Sequence, residues 1–372
     1  MKYYLISGEA SGDLHGANLM KSLKDLDAAA EFRVWGGDKM KNEGGVLVKH
    51  YRDLAFMGFI EVLFNLRTVL KNISFCKKDL LCHKPDVLIL IDYPGFNLRI
   101  AEFAHQQGIK VAYYISPQIW AWKKSRVHLI KRVVDLMMVI LPFESDFYKK
   151  YNFKVDFVGH PLLDAIHNEP VIDKNTFLSR YGLTDKPVIA LLPGSRKQEV
   201  GKMLSEMLKV IPFYPDYQFV IAGVDNLPDD AYASFTGDKK VTVVFNETHH
   251  LLRTAQAALV TSGTATLETA LLGVPEVVCY KGNSLSYQIA RRVVNVKYIS
   301  LVNLIMDREV VKELIQGELN TQNLRKQLDL LLFDHAYRSK LKADYIELVS
   351  KLGSLGASNR AANLIVSMIK PG

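Results

Sequence analysis

An aspartate stands at the end of the most apolar short run in the first half of the chain. Asp92 follows residues 87–91, which read Val-Leu-Ile-Leu-Ile, and precedes Tyr93-Pro94-Gly95. A carboxylate at the end of a buried strand is costly unless it is solvated or bound. A partly dry carboxylate is also suited to taking a proton from a hydroxyl group. We therefore predict that Asp92 is a catalytic base; the alternative is an aspartate that caps the next helix or turn.

A glycine-rich loop, residues 7–16, follows the first predicted strand and leads into a helix. Its glycines allow tight turning, and the helix N-terminus offers unpaired N–H groups. It lacks the Gly-Lys-Ser/Thr of a P-loop, and its even glycine spacing differs from a dinucleotide fingerprint. Acidic side chains would repel a pyrophosphate, so we predict that Glu9, Ser11 and Asp13 bind acceptor sugar hydroxyls. In the alternative interpretation, Asp13 is a structural cap.

A nucleotide site is predicted in the second half. Arg196 ends the run Pro193-Gly194-Ser195-Arg196, where a forked guanidinium suits a diphosphate. Residues 261–268 join a strand to a helix whose N-terminus favours anions. The carboxylate of Glu268 would take the two hydroxyls of a ribose, whereas a plain capped helix explains only the serine and threonine content. The predicted donor residues are Gly194, Ser195, Arg196, Ser262, Gly263, Thr264, Ala265, Thr266 and Glu268.

Neither a metal ion nor a cofactor is expected. The sequence has no cluster of His, Asp or Glu with metal-ligand spacing and no Asp-x-Asp at a predicted strand end. Arg196 and helix N–H groups would stabilise a nucleoside diphosphate leaving group instead. The three cysteines, Cys76, Cys82 and Cys279, have no ligand-like spacing and are expected to be buried, reduced thiols.

Charge and apolar patterning suggest contacts with phosphates and lipid. The 47 basic and 39 acidic residues leave a net charge of +8, which attracts anions. Residues 123–132 are the most basic and are interpreted either as a solvated helix face or as a phosphate or headgroup surface. A second segment is interpreted either as a core helix or as a membrane and acyl-chain contact. Its apolar residues are Phe56, Met57, Phe59, Ile60, Leu63 and Phe64.

Aromatic and histidine side chains near predicted strand ends leave further alternatives open. Trp120 and Trp122 lie on one loop, where tryptophans stack on sugars, anchor at a membrane interface or pack in the core. His160 closes the first half in Gly159-His160-Pro161, and we predict a contact with the donor diphosphate or a reacting hydroxyl, a structural histidine being equally compatible.

The elements that must position these residues alternate between short apolar runs and longer amphipathic segments, as in parallel sheets wrapped by helices. Predicted strands span residues 3–7, 33–35, 87–91, 111–115, 136–140, 155–158, 188–192, 218–222, 241–245, 258–261 and 276–280. A polar linker is predicted at 164–186. This division predicts an α/β protein with domains at 1–163 and 164–354, the tail 355–372 being a helix able to return to the first domain. Two doubly wound, Rossmann-like halves would face a cleft, with ligands at the carboxyl ends of their strands.

Together these segments resemble the lipid-A-disaccharide synthase family almost from end to end. The residues that carry the resemblance are Gly8-Glu9-Ala10-Ser11-Gly12-Asp13, Met57-Gly58, Ile91-Asp92-Tyr93-Pro94, Ser116-Pro117 with Trp120-Ala121-Trp122, Leu141-Pro142-Phe143-Glu144, Leu192-Pro193-Gly194-Ser195-Arg196 and Ser262-Gly263-Thr264 with Leu267-Glu268. Asp92 matches the family's base, Arg196 its arginine near the diphosphate, and Asn303 an asparagine near the nucleotide. Gly95 and Val302 depart from the family pattern, which affects local loop shape.

The resemblance implies a GT-B fold, with an acceptor-binding domain at 1–163 and a UDP-sugar-binding domain at 164–354, and a defined inverting reaction. A 2,3-diacylglucosamine would pass from UDP-2,3-diacylglucosamine to 2,3-diacylglucosamine 1-phosphate (lipid X), giving a β-1,6-linked disaccharide 1-phosphate and UDP. The enzyme would act as a peripheral protein at the cytoplasmic face of the inner membrane of a Gram-negative bacterium. No uninterrupted apolar window is long enough to span a bilayer, the N-terminus lacks a signal peptide, and no nucleic-acid partner is expected. A homodimer is compatible with the sequence. The alternatives are another GT-B UDP-sugar enzyme (a peptidoglycan N-acetylglucosaminyl transferase or a UDP-sugar epimerase) and a non-catalytic binding protein.

Overall fold

The computed structural model describes residues 1–53, 66–224, 227, 230–236, 241–283, 287 and 296–370. It forms two compact units, unit 1 (Met1–Asp164 with Leu352–Gly372) and unit 2 (Ala165–Lys351). The predicted apolar contact residues Phe56, Met57, Phe59, Ile60, Leu63 and Phe64 lie outside the described residues. Within the described part of the chain, no helix is both long and apolar enough to cross a membrane.

Unit 1 alternates strands and helices along the chain. Its strands are β1 (Lys2–Ser7), β2 (Glu31–Gly36), β3 (Val46–His50), β4 (Val87–Ile91), β5 (Lys110–Tyr114), β6 (Leu136–Val139) and β7 (Asp156–Phe157). Its helices are α1 (Ala10–Leu26), α2 (Asp38–Asn42), α3 (Leu66–His83), α4 (Pro94–Gln106), α5 (Ile119–Trp122), α6 (Arg126–Val133) and α7 (Pro142–Lys149). Helix α8 (Pro161–Asn168) runs from unit 1 into unit 2.

Unit 2 repeats the alternation. Its strands are β8 (Val188–Leu192), β9 (Gln218–Gly223), β10 (Thr242–Phe245), β11 (Ala255–Thr261), β12 (Glu276–Tyr280) and β13 (Lys312–Ile315). Its helices are α9 (Lys174–Arg180), α10 (Lys197–Met207), α11 (Asp230–Thr236), α12 (Thr248–Thr254), α13 (Thr264–Leu271), α14 (Leu301–Met306), α15 (Thr321–Phe333) and α16 (His335–Lys351). Helix α17 (Ala357–Ile369) belongs to unit 1, and short 3₁₀ turns occupy Tyr51–Asp53, Leu208–Phe213 and Gln316–Glu318.

Both sheets are parallel in every described pairing and change direction of strand order near their middle. In unit 1 the order is β3-β2-β1-β4-β5-β6-β7, and in unit 2 it is β10-β9-β8-β11-β12-β13. All five residues of β4 and of β8 are buried, as expected for strands covered by helices on both faces. Ligands of doubly wound sheets bind where the strand order switches. This rule points to the ends of β1 and β4 in unit 1, and of β8 and β11 in unit 2.

The predicted strands all occur, with ends displaced by a few residues. Among the described residues, two strands were not predicted: β3 lies at a sheet edge, and β13 carries Lys312 and Glu313 in a four-residue run. The predicted linker at 164–186 contains the end of α8 and the whole of α9. The expectation that all three cysteines are buried was wrong for Cys82, which is exposed. Asp173 caps α9 by accepting the N–H groups of Asn175 and Thr176.

The C-terminal helix α17 packs against α1 within unit 1. Ser22 Oγ of α1 donates a hydrogen bond of 2.6 Å to Asn359 Oδ1. Asp164 accepts the N–H groups of Gly356 and Ser358 at 2.6 and 3.3 Å, which caps the start of the helix. Residues far apart in sequence therefore pack together within unit 1.

Candidate functional site

Asp92 lies where β4 leaves the sheet, in a strained turn. Asp92 and Tyr93 have φ angles of 43° and 49°, in the left-handed region. Ile115, just after the neighbouring strand β5, has φ 67°, which is costly for a β-branched residue. The Asp92 N–H donates to the Ile115 carbonyl at 3.2 Å. Strained backbone of this kind concentrates at functional sites, and here it occurs at the predicted base.

The Asp92 carboxyl is partly buried, and its surroundings disfavour the charged form. Burial and the negative charge of Glu9 raise the pKa of Asp92 to about 7, although the Tyr93 N–H opposes this rise. A carboxyl with this pKa is poised near neutral pH to take a proton from a hydroxyl. The structure therefore brings together two of the predicted residues, Glu9 and Asp92.

The glycine loop and the Asp92 turn pack against each other through Tyr93. A Cβ on Gly8 would lie 2.4 Å from Tyr93 Cγ, so the close contact requires glycine. The Tyr93 ring also stacks on Phe96, with centroids 5.6 Å apart. Glu9 and Ser11 are exposed at the start of α1. Both are therefore accessible to a ligand at the switch point between β1 and β4.

Asp13, predicted to bind sugar hydroxyls, is instead used by the fold. It is 3% exposed, and its carboxylate accepts the backbone N–H groups of Gly37, Lys39 and Met40 at 2.7 to 3.1 Å. These donors belong to the start of α2. The carboxylate therefore neutralises orphan N–H groups of α2, which corrects the sugar-binding assignment.

His160 is likewise built into the fold of unit 1. The backbone N–H of His160 donates to the Leu352 carbonyl at 3.0 Å, and its ring Nδ1 accepts the backbone N–H of Leu162 at 3.2 Å. Burial, and to a lesser extent His15, lowers the pKa of His160 to about 3, so the ring is neutral at physiological pH. These contacts favour the structural alternative over a diphosphate contact.

The two tryptophans of the aromatic loop have different surroundings. Trp120 is buried, and its Nε1–H donates to Glu144 Oε1 at 3.3 Å. Trp122 is 47% exposed, and Lys123 Nζ and Arg126 Cζ lie 5.6 and 5.2 Å from its ring centroid. We call Trp122, Lys123, Lys124 and Arg126 the Trp122 patch. An amphipathic ring among cations is the composition expected at an anionic lipid surface.

In unit 2, Arg196 lies at the N-cap of α10, just after β8. Its side chain is 59% exposed, and its Nη1 is 3.4 Å from Glu199 Oε1. Gly194 has φ 101°, and a Cβ there would lie 3.0 Å from Glu199 Oε2 and 3.6 Å from Thr261 Cγ2. The ends of β8 and β11 therefore meet closely at Gly194, beside the exposed Ser195 and Arg196.

Helix α13 presents its N-terminus at the same end of the sheet. Gly263 and Thr264 are exposed there, and Ala265 is partly buried. Ser262 Oγ donates to the Ile299 carbonyl at 2.8 Å and Thr266 Oγ1 to the Gly263 carbonyl at 2.9 Å. Both hydroxyls therefore stabilise the loop, and the exposed backbone at the helix start is of the kind that can bind an anion.

Glu268 belongs to a chain of ionisable groups that sequence reasoning missed. His249 Nε2 lies 3.8 Å from Glu268 Oε2, and His249 Nδ1 lies 2.7 Å from Glu169 Oε2. Burial raises the pKa of Glu268, a nearby His249 opposes this, and Glu169 adds to it. The His249-His250 pair just after β10 was the available signal, but its partners come from distant segments.

Asn303, expected near the nucleotide, is fully buried, and its amide is engaged with the fold. Its Nδ2 donates to the Val311 carbonyl and to Glu313 Oε1, both at 2.9 Å. Its Oδ1 accepts the Val310 and Val311 N–H groups at 2.7 and 3.0 Å. An amide with both donors and both acceptor sites occupied cannot also bind a ligand, which corrects the prediction. The described residues contain no group of three or more His, Cys, Asp or Glu placed to hold a metal ion.

Comparisons with solved structures establish the fold. The chain is similar to a UDP-GlcNAc 2-epimerase from Neisseria meningitidis bound to UDP-GlcNAc, with TM-score 0.67, 13% identity and full coverage of both chains. It is also similar to the glycotransferase of kitacinnamycin, with TM-score 0.64, 15% identity, and coverage of 100% of this chain and 99% of that one. These likenesses show two parallel-sheet domains of the GT-B type.

Sequence comparisons establish the family. A family model described as lipid-A-disaccharide synthetase matches residues 3–367. The chain is 39% identical to the lipid-A-disaccharide synthase of Trichlorobacter lovleyi and 40% identical to that of Syntrophus aciditrophicus, covering 98% of this chain and 97% of each relative. The corresponding enzyme of Coxiella burnetii is 37% identical, with 98% of each chain covered. The chain therefore belongs to the lipid-A-disaccharide synthase family of glycosyltransferases.

Proposed function

We propose that Asp92 is the base with which this chain carries out its family's reaction. It takes the proton of the acceptor's primary hydroxyl as that oxygen attacks the anomeric carbon of UDP-2,3-diacylglucosamine. The bond from that carbon to UDP breaks on the opposite face, which inverts α to β. The strained turn at Asp92, with its pKa near 7, is the observation that carries this proposal.

Donor binding is assigned to the β8 and β11 ends of unit 2. Arg196 makes a forked contact with the diphosphate, and the exposed start of α13 adds N–H groups. Both stabilise charge that develops on UDP as it departs, without a metal ion. Glu268 receives the ribose hydroxyls and is held by His249. Glu9 and Ser11 contact the acceptor sugar.

The reaction itself is tested by UDP release in detergent with EDTA. We expect turnover only when UDP-2,3-diacylglucosamine and 2,3-diacylglucosamine 1-phosphate are both present. Turnover of UDP-N-acetylglucosamine in place of the diacylated donor would favour another GT-B enzyme. Loss of turnover in EDTA, restored by Mg²⁺, would contradict the metal-independent step while leaving the substrates in place.

Asp92 must be deprotonated to act, so activity is expected to rise as pH increases through about 7. Glu9→Gln removes a negative charge that raises the Asp92 pKa. The acid limb of kcat/KM should therefore move to lower pH by about half a unit. Asp25→Asn, on the exposed last part of α1, is the matched control and should leave the limb in place. An unchanged limb in Glu9→Gln would show that this limb does not report Asp92.

Peripheral membrane association is proposed for the Trp122 patch. Its exposed ring and cations suit the headgroup region of an anionic bilayer. Reversing charge with Lys123→Glu and Lys124→Glu is expected to weaken binding to vesicles of phosphatidylglycerol by at least about thirtyfold, at about 1 kcal/mol for each of the two lost cations. Lys149→Glu and Lys150→Glu, exposed at the end of α7, serve as the control. Equal binding by the two variants, measured by co-sedimentation, would rule out the patch as the main contact.

A further inference from the structure

The main-chain carbonyl of Asp92 is held by two buried side chains from different elements. Asn97 Nδ2, in the first turns of α4, donates to it at 2.7 Å. The hydroxyl of Tyr113, on β5, donates to it at 2.5 Å. Both residues are 0% exposed. One carbonyl oxygen at the end of β4 therefore receives both of the hydrogen bonds that its lone pairs can accept.

The same peptide unit carries the N–H of Tyr93. That N–H stabilises the charged form of the Asp92 carboxyl and so lowers its pKa. Because a trans peptide is planar, its C=O and N–H point in opposite directions, and holding one sets the direction of the other. The left-handed φ angles of Asp92 and Tyr93 persist only if surrounding contacts enforce them. The two bonds to the carbonyl provide that constraint.

We propose that Tyr113 and Asn97 are positioning residues that act through Asp92. By fixing the Asp92–Tyr93 peptide, they fix the direction of the Tyr93 N–H and the backbone that carries the Asp92 carboxylate, and so hold that carboxylate in its reactive orientation. This inference rests on the proposed role of Asp92 as base. Neither side chain needs to touch a substrate, since each is bonded to the backbone beneath the carboxylate.

The charged and titratable groups near the Asp92–Tyr93 peptide determine how a change in the orientation of that peptide shifts the pKa of Asp92. Glu9 faces Asp92 from the loop after β1, and Tyr93 belongs to the turn itself. Arg126 of α6 and Tyr148 of α7 face Tyr113. Of the influences on the carboxyl, burial and Glu9 raise its pKa and the Tyr93 N–H lowers it. Losing the N–H contact therefore removes stabilisation of the charged form and raises the Asp92 pKa further.

Tyr113→Phe, which removes a single oxygen atom, is the principal test. We expect kcat to fall about tenfold with KM for both lipids within about twofold, because a displaced base affects chemistry and not binding. The acid limb should move to higher pH by about half a unit. Tyr114→Phe is the matched control on the same strand: Tyr114 is equally buried and faces Ser358 and Asp164 instead. It should retain the kcat and the acid limb of the parent enzyme. Asn97→Ala should reproduce both effects of Tyr113→Phe.

A double-variant cycle separates this inference from the role of Asp92. In an Asp92→Asn background, Tyr113→Phe should add no further loss if it acts through the carboxylate. The same tenfold loss in both backgrounds, or an unmoved acid limb, would overturn the positioning role even with Asp92 confirmed as base. Full activity of Asp92→Asn alone would overturn the base itself, whatever Tyr113→Phe does. If Tyr113→Phe lowers Tm, the same test is made with Asn97→Ala and with the double-variant cycle, at a temperature at which the variants remain folded.

Discussion

Replacing Asp92 by asparagine is expected to lower kcat about a thousandfold, within the range for loss of a general base. The asparagine matches the shape of the carboxyl but cannot accept a proton. KM should change little if Asp92 acts on the proton and not on binding. UDP release with both lipids in detergent measures the effect, and the residual rate should no longer rise with pH through about 7.

The stability of the variant provides the control. Burial makes the charged form of Asp92 unfavourable, so its folded-state pKa is raised above its ordinary value. A raised carboxyl pKa contributes stability that is fully present below the ordinary pKa of 3.8 and is lost as pH rises to about 7, so at pH 8 the charged carboxylate opposes folding. Asp92→Asn should therefore be at least as stable as the parent enzyme at pH 8 in urea unfolding. An inactive and strongly destabilised variant would point to a structural aspartate, and a fully active one would remove the base from the mechanism.

Replacing Arg196 by alanine is expected to lower kcat about a hundredfold, the cost of removing one preorganised donor to developing charge. Its side chain is largely exposed at the start of α10, so the loss should leave Tm nearly unchanged. Arg196→Lys should recover little of the rate, because an ammonium group cannot form the forked contact. Lys197→Ala, which removes the adjacent exposed cation, is the matched control and should retain activity.

Binding of the product UDP tests whether Arg196 acts at the diphosphate. UDP should bind Arg196→Ala about tenfold more weakly in calorimetry, since a charge-assisted contact with the diphosphate is gone. Uridine, which has no phosphate, should bind both proteins equally. Equal loss for uridine would mean that the loop after β8 is distorted, and unchanged UDP binding would place Arg196 away from the diphosphate.

The fold was predictable from the sequence where burial is continuous. Runs such as Val87–Ile91 and Val188–Leu192 are buried on both faces, so their apolar character is uninterrupted. Strand β13 escaped prediction because a buried glutamate lies within it: Glu313 accepts the N–H groups of Ile299 and Ser300. A buried charge whose hydrogen-bond partners are backbone groups distant in sequence cannot be recognised from the residues next to it.

The site was predictable only in part, for a related reason. Glu9, Asp92 and Arg196 follow strand ends, and topology alone brings such ends to one edge of a sheet. In the sequence, Asp13 and Asn303 resemble functional residues just as closely. In the structure, their side-chain oxygens accept hydrogen bonds from backbone groups at least seven residues away. The strained turn at Asp92, and the contacts of Tyr113, depend on two neighbouring strands and become visible only in three dimensions.

The return of α17 to α1 affects how the chain matures during synthesis. Unit 2 is one uninterrupted stretch, so its whole core has left the ribosome once residue 351 has emerged. Unit 1 must wait for residues 352–370, because Ala361, Ala362 and Ile365 of α17 are fully buried in it. Until then, the apolar side of α1 is uncovered, and uncovered apolar surface invites aggregation or chaperone binding. Unit 1, whose first residues are translated before those of unit 2, is thus the last to be completed.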